Sequence, residues 1–268
     1  MKREIISSMK LFLLDMDGTL YLGNRLFDFA VELLKEIRRT GGKYLFVTNN
    51  SSKSVEDYVK KLSNMGIAAN REDFMTSSQA TAYYLHKHHE GKRLYVCGTE
   101  SLKTELRSEG FFVTESLDEV DCIVMGFDTE LTFQKLHDVS YLLLTQKDIP
   151  YIATNPDLVC PTEFGSVPDC GSVCAMIYNA TGRRPVVIGK PGDLMPRLAM
   201  EKWGYSPSQT CVVGDRIYTD VKSGLNAGCI GILVMSGETT PEILAASPDK
   251  PHLVLESAKE ILDVLKTL

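Results

Sequence analysis

The 268-residue chain lacks a surplus of positive charge: 29 Lys and Arg stand against 35 Asp and Glu, a net charge of −6. Binding along a phosphate backbone needs clustered cations, and no basic stripe occurs, so a general nucleic-acid binder is excluded. Long apolar runs are missing too. The start, "MKREIISSMKLFLLD", puts basic residues before an apolar stretch, but Leu11–Leu14 is cut short by Asp15. It is too short for a signal-peptide core or a membrane span, so the expectation is a cytoplasmic protein with no membrane partner. There is no disulfide framework either. Cys97, Cys122, Cys160, Cys170, Cys174, Cys211 and Cys229 are odd in number and scattered through apolar segments, as reduced core residues are. Cys170 and Cys174 form C-x3-C with no second pair, a poor zinc site. His86 and His89 in "HKHH" lack an obvious third ligand and read as a solvated helix face.

What is present is alternation. Leu11–Leu14 reads as a buried strand, followed by "FDFAVELLKEIRRTGGK" with apolar residues at helical spacing and Gly41-Gly42 as its stop. "YLFVTNN" reads as the next strand, then a helix runs from about Ser54 to Met65. After residue 184 the pattern resumes: "PVVIGKPG", a helix through Trp203, "TCVVGDRIYTD", "GCIGILV", "HLVLES" and a closing helix. Continuous apolar strands alternating with helices imply a parallel sheet covered on both faces. The expected fold is therefore α/β, a doubly wound, mainly parallel, Rossmann-like core. Residues 89–184 form a second alternating unit, read as a smaller α/β domain inserted between core segments 1–88 and 185–268. No linker, low-complexity run or repeat marks the boundaries.

"LFLLDMDGTLYLG" carries an ambiguity. Asp-Gly after an apolar run is a strong hairpin signal, yet two carboxylates at a strand end also suit a reaction centre. The other strand ends decide between them. "YLFV" leads to Thr48-Asn49-Asn50, "PVVIG" to Lys190-Pro191, and "CVVG" to Asp215, with Asp220 five residues on. Ligands in open α/β sheets bind outside the carboxyl ends of the strands, so these polar sets converge. Several carboxylates in one pocket repel one another unless a cation sits among them. Oxygen ligands of this kind suit Mg²⁺. An aspartate attacking a phosphate faces repulsion of about 4 kcal/mol at 4 Å and ε ≈ 20, which Mg²⁺ and Lys190 would offset. One carboxylate can then act as nucleophile, and a second as acid to the leaving alcohol and base to water. Thr48 and the backbone N–H groups after it can hold phosphate oxygens.

"DMDGTLY", "TNN", "GKP" and "GDRIYTD", in this order, resemble the four motifs of the haloacid dehalogenase (HAD) superfamily. The insertion between the second and third resembles its class IIA cap, in the branch of NagD-type and para-nitrophenylphosphatase-like enzymes. D-x-D-G-T arises by chance in roughly one chain of this length in several hundred. "GKP" alone means little; the ordered set is specific. The resemblance implies a Mg²⁺-dependent phosphatase. Asp15 would be nucleophile and metal ligand, and Asp17 general acid/base and metal ligand through its carbonyl. Thr48, Asn49 and Asn50 would bind substrate. Lys190 would pair with Asp15 and the phosphate, Asp215 would ligate the metal, and Asp220 would order Lys190 or the metal's waters from behind. "TLYLG" would form a small flap, and Gly18 would permit the sharp turn. In the cap segment "TNPDLVC", Asn155, Asp157 or Cys160 would reach the leaving group. The expected substrate is a small phosphorylated metabolite: a sugar phosphate, nucleoside monophosphate, phosphoglycolate, pyridoxal phosphate or aryl phosphate. The resemblance also suggests a homodimer, though no surface stripe demonstrates one. A mutase or a non-catalytic ligand-binding protein would use the same fold; release of inorganic phosphate separates hydrolysis from both.

Overall fold

A computed structural model describes residues 2–162 and 164–268. The chain divides into two compact units. Met1–Thr48, Val59–Met75 and Lys190–Leu268 make the first, and Asn49–Tyr58 with Thr76–Gly189 the second. Each has its own parallel sheet.

The first unit is the expected doubly wound core. Its six-stranded sheet runs Leu253–Leu255, Ile230–Val234, Thr210–Gly214, Leu11–Leu14, Lys43–Thr48 and Phe74–Thr76 from edge to edge. Leu11–Leu14 lies centrally, parallel to both neighbours, with Leu14 opposite Val213 on one side and Phe46 on the other. A central strand covered on both faces must be apolar throughout, and all four of its residues are fully buried. Burial of a leucine side chain contributes about 2 kcal/mol, so this strand holds the start of the Asp15 loop firmly. The helix Ala30–Arg39 turns Ala30, Leu33, Leu34 and Ile37 inward and packs against the helix Lys259–Leu265. Elsewhere the helix Lys222–Asn226 sits hard on the sheet: a Cβ on Gly224 would lie 2.9 Å from that of Val212.

Because these strands are parallel, their carboxyl ends share one edge of the sheet. Asp15 follows Leu14 there, Thr48 ends its strand, Asp215 follows Gly214, and Met235-Ser236-Gly237 follows Val234. The expected flap is a short antiparallel hairpin, Tyr21–Leu22 with Arg25–Leu26, turning at Gly23 with φ of +61°.

The second unit has a five-stranded parallel sheet ordered Val186–Val187, Tyr151–Ala153, Cys122–Met125, Arg93–Cys97 and Phe112–Val113. Tyr95, Ile123 and Met125 form its core with Val139 and Leu142 of the helix Phe133–Thr145 and Val173 and Ile177 of the helix Cys170–Thr181. One strand assignment needs correction. "PVVIG" was expected in the core sheet, but Val186 and Val187 pair with Ile152 and Ala153 of the second unit. Apolar alternation marks a strand and is silent about which sheet it joins. The helix Ser77–His88 and the segment Asn49–Tyr58 also group with the second unit, outside the expected 89–184 span. Among the described residues no helix is long and apolar enough to cross a membrane.

Candidate active site

The first motif does make a turn. Asp15 N–H donates to the Val213 carbonyl at 2.8 Å, carrying the ladder one residue past the strand. The Met16 carbonyl then accepts from Leu20 at 2.8 Å, and Gly18 donates to the Tyr21 carbonyl at 2.7 Å. Gly18 is needed for two reasons: its φ is +79°, and a Cβ there would lie 2.5 Å from Asp215 Oδ2. The turn thus brings the first motif against the fourth.

Lys190 ties the site together. Its buried ammonium donates to Asp15 Oδ1 at 2.7 Å, to Asp220 Oδ1 at 2.5 Å and to the Val47 carbonyl at 3.2 Å. Three donors thus meet three acceptors. Asp220 comes from the turn Ile217–Val221, and its other oxygen accepts from Arg216 N–H at 3.1 Å. The strand end yields to it: a Cβ on Gly214 would lie 2.3 Å from Asp220 Cγ. Asp215 Oδ2 accepts from Glu238 N–H at 2.6 Å.

Charge in this cluster is unbalanced. Oxygens of Asp15, Asp215 and Asp220 lie within 4.8 Å of one another, with one lysine among them. Burial pushes Asp15 up to about 8; Lys190 opposes the shift, and Asp220 and Asp215 reinforce it. Burial, and then Asp220, raises Asp215 to about 6, against the pull of Glu238 N–H. For Lys190 burial works against the charge, but Asp15 and Asp220 outweigh it and push the pKa up, so the group stays an ammonium. Three close carboxylates on one ammonium leave hard oxygen donors and excess negative charge. Mg²⁺ fits that donor set.

The remaining expected residues fall in different places. Asp17 is exposed and accepts from Gly23 N–H of the flap at 3.2 Å. Thr48 is buried at its strand end. Asn49, Asn50 and Asn155 belong to the second unit. Asn49 Nδ2 donates to Asp157 at 3.0 and 3.2 Å, and its carbonyl accepts from Ser77 Oγ at 2.7 Å. Asn50 Oδ1 accepts from Ser52 N–H at 2.9 Å, a local turn. Asn155 is fully buried; its amide donates to Asp169 at 3.0 Å and accepts from Thr154 Oγ1 at 2.9 Å. Cys160 lies on the hairpin Val159–Thr162 with Gly165–Pro168. His86 packs against Phe111 with the rings tilted and their centroids 4.3 Å apart, its Nε2 2.9 Å from the Glu109 carbonyl, and joins no group of metal-ligand type among the described residues.

Sequence reasoning missed the loop after the fifth strand end, Ser236–Thr239. The signal was there, since "GILV" runs into "MSGET" just as the other strands run into their motifs.

Comparison with known proteins identifies the family. Residues 12–112 match the haloacid dehalogenase-like hydrolase family, and residues 187–261 a HAD-hydrolase-like family. The chain is 34% identical to the 5'-nucleotidase YutF of Bacillus subtilis over 93% of this chain and 96% of that one. It superposes on the 4-nitrophenylphosphatase of Thermotoga maritima with a TM-score of 0.92 and 40% identity, covering 97% and 98% of the two chains. The glycerol phosphate phosphatase of Mycobacterium tuberculosis, solved in complex with magnesium, matches at a TM-score of 0.88 and 29% identity over 97% of this chain and 78% of that one. With likeness over nearly its whole length, the chain belongs to the haloacid dehalogenase-like hydrolases, in the branch of the NagD and 4-nitrophenylphosphatase-like phosphatases.

Proposed function

We propose that this chain hydrolyses small phosphomonoesters through an aspartyl-phosphate on Asp15. The observation that carries the reading is the group of half-buried Asp15 and buried Asp215 and Asp220 around the single ammonium of Lys190. A purely structural ion pair has no use for the extra carboxylates, whose mutual repulsion costs stability.

Asp15 attacks phosphorus, the bond from phosphorus to the leaving oxygen breaks, and Asp17 gives that oxygen its proton. Water then attacks the same phosphorus and passes a proton to the Asp17 carboxylate. The Asp15–phosphorus bond breaks, inorganic phosphate leaves, and both aspartates return to their starting forms. Lys190 orients Asp15 and favours its ionised form against the cost of burial, the bound cation would complete that ionisation, and the Thr48 hydroxyl holds a phosphate oxygen where charge develops. Asp15, Asp215 and the Asp17 carbonyl are the groups that would hold Mg²⁺, with Asp220 behind them. When bound, the ion supplies positive charge against the repulsion between carboxylate and phosphate. The exposure of Asp17, which accepts from Gly23 N–H, supports its assignment as acid and base.

From the family pattern, Asn49 and Asn50 are proposed as phosphate-side contacts. Asn155, whose amide is engaged by Thr154 and Asp169, is proposed as the anchor of its loop. The relatives named above act on a nucleotide, an aryl phosphate and glycerol phosphate, so the constant element is the phosphoryl group. The substrates proposed here are small monoesters of that range.

The test is phosphate release from a panel of such esters, with Mg²⁺ or with EDTA, for the wild-type chain and for Asp15→Asn. Turnover is expected only with metal, and Asp15→Asn should lower kcat by about 10⁴-fold or more. Full activity in Asp15→Asn, or no ester hydrolysed, would overturn the mechanism.

A further inference from the structure

Outside the four motifs, one loop touches the site at more points than its sequence suggests. Ser236–Thr239 follows the strand Ile230–Val234 and closes around the start of the fourth motif. Glu238 N–H donates to Asp215 Oδ2 at 2.6 Å, and Thr239 N–H to the Asp215 carbonyl at 3.2 Å. Thr239 Oγ1, which is buried, accepts from Ile217 N–H at 3.2 Å. At its other end, Ser236 Oγ donates to the Gly18 carbonyl at 2.6 Å. Between them, a Cβ on Gly237 would lie 2.1 Å from Asp215 Oδ2, so only glycine lets the backbone come this close.

The Glu238 side chain anchors the loop from outside. Its Oε2 pairs with Arg216 Nε at 2.8 Å, and its Oε1 accepts from the Tyr218 hydroxyl. Arg216 and Tyr218 lie in the same turn that delivers Asp215 and Asp220. The side chain therefore locks the loop to the segment whose carboxylates it orients. A backbone N–H held on one carboxylate oxygen sets the rotation of that carboxylate and leaves the other oxygen for the site.

We propose that Ser236–Thr239 is a clasp that aims Asp215 at the divalent cation, with Glu238 as its positioning residue. The proposal rests on the Mg²⁺-dependent reading given above. Partners behind a metal ligand matter in this way: their loss typically costs 10–100-fold in metal affinity or activity.

Two titrations test it, on the wild-type chain, Glu238→Ala, Glu238→Gln and Ser236→Ala. Calorimetry measures the Mg²⁺ dissociation constant without substrate, and hydrolysis measures the Mg²⁺ concentration for half-maximal rate. Glu238→Ala should weaken Mg²⁺ at least about tenfold in both, with a far smaller change in kcat at saturating Mg²⁺. Glu238→Gln, which keeps an acceptor oxygen for Arg216 and can donate its amide N–H to the Tyr218 hydroxyl, should recover most of the loss, and Ser236→Ala should fall between. A Mg²⁺ constant unchanged in Glu238→Ala and Ser236→Ala, with normal binding by the wild-type chain, would overturn the clasp alone. A wild-type chain that binds no Mg²⁺ and hydrolyses without it would overturn the reading beneath it as well.

Discussion

The two sheets of this protein share an architecture and differ in how the polar groups at their strand ends are satisfied. Both are parallel, with helices closing an apolar core. In the second unit the strand-end groups settle their needs among themselves. Asp128, after the strand Cys122–Met125, takes the Lys135 ammonium at 2.7 Å, and Lys135 also donates to the carbonyls of Gly98 and Glu130. Thr99 Oγ1 donates to the Ser52 carbonyl, and Ser51 Oγ lies between Thr154 Oγ1 at 2.8 Å and Phe127 N–H at 2.9 Å. In the first unit Lys190 is likewise fully engaged, but three carboxylates compete around it. A matched network rigidifies a fold. An unmatched one is held in place only because the surrounding strands over-determine it, and it keeps an appetite for a cation and a phosphate.

The largest contrast should come from removing each lysine. Lys190→Met strands buried Asp220 and half-buried Asp15 and should cost about 3 kcal/mol or more, while lowering kcat at least about 10²-fold. Lys135→Met strands Asp128 alone; with 18% of the lysine side chain exposed, its cost should be smaller. Denaturant unfolding alongside kcat checks the pair, and Lys135→Met should leave kcat and the Mg²⁺ response unchanged. Equal loss of activity in both variants would break the distinction.

A pH series sharpens the same point. Asp15 and Asp215 are raised to about 8 and about 6, above the ordinary aspartate value of about 3.9. Between those values the folded, metal-free chain binds protons that the unfolded chain has released. Its stability is therefore full below about pH 4 with respect to these groups, and is lost as pH rises through about 6 and then about 8. The melting temperature in EDTA should fall across that window. Added Mg²⁺ should restore it, most strongly at the alkaline end, where no proton competes. A melting temperature that rises from pH 5 to pH 8 in EDTA would contradict the excess negative charge.

The smallest contrast uses two left-handed glycines. Gly182, at φ +71°, caps the helix Cys170–Thr181, with nothing within 4 Å of an added Cβ. Gly182→Ala should cost about 1 kcal/mol from backbone strain and leave kcat alone. Gly18→Ala carries the same strain at φ +79° and must also displace Asp215. It should lose Mg²⁺ affinity as well, measured by the same titrations.

The sequence by itself determined the α/β class, the central strand Leu11–Leu14, and the identity of Asp15, Thr48 and Asp215 as residues at one sheet edge. Those features are local: apolar runs dictate strands, and in a parallel sheet whatever follows a strand lands at its carboxyl end. Even the Asp-Gly turn was legible, though not that Gly18 makes room for Asp215. Only the tertiary structure decided that Val186–Val187 joins the other sheet, so that Lys190 reaches Asp15 without following a core strand. It alone showed Asn155 engaged by Asp169, and Ser236–Thr239 wrapped on Asp215. Each of these depends on which distant donor meets which acceptor once the chain is packed. Side-chain periodicity carries no record of such pairings, because they join residues as far apart as Asp15 and Lys190.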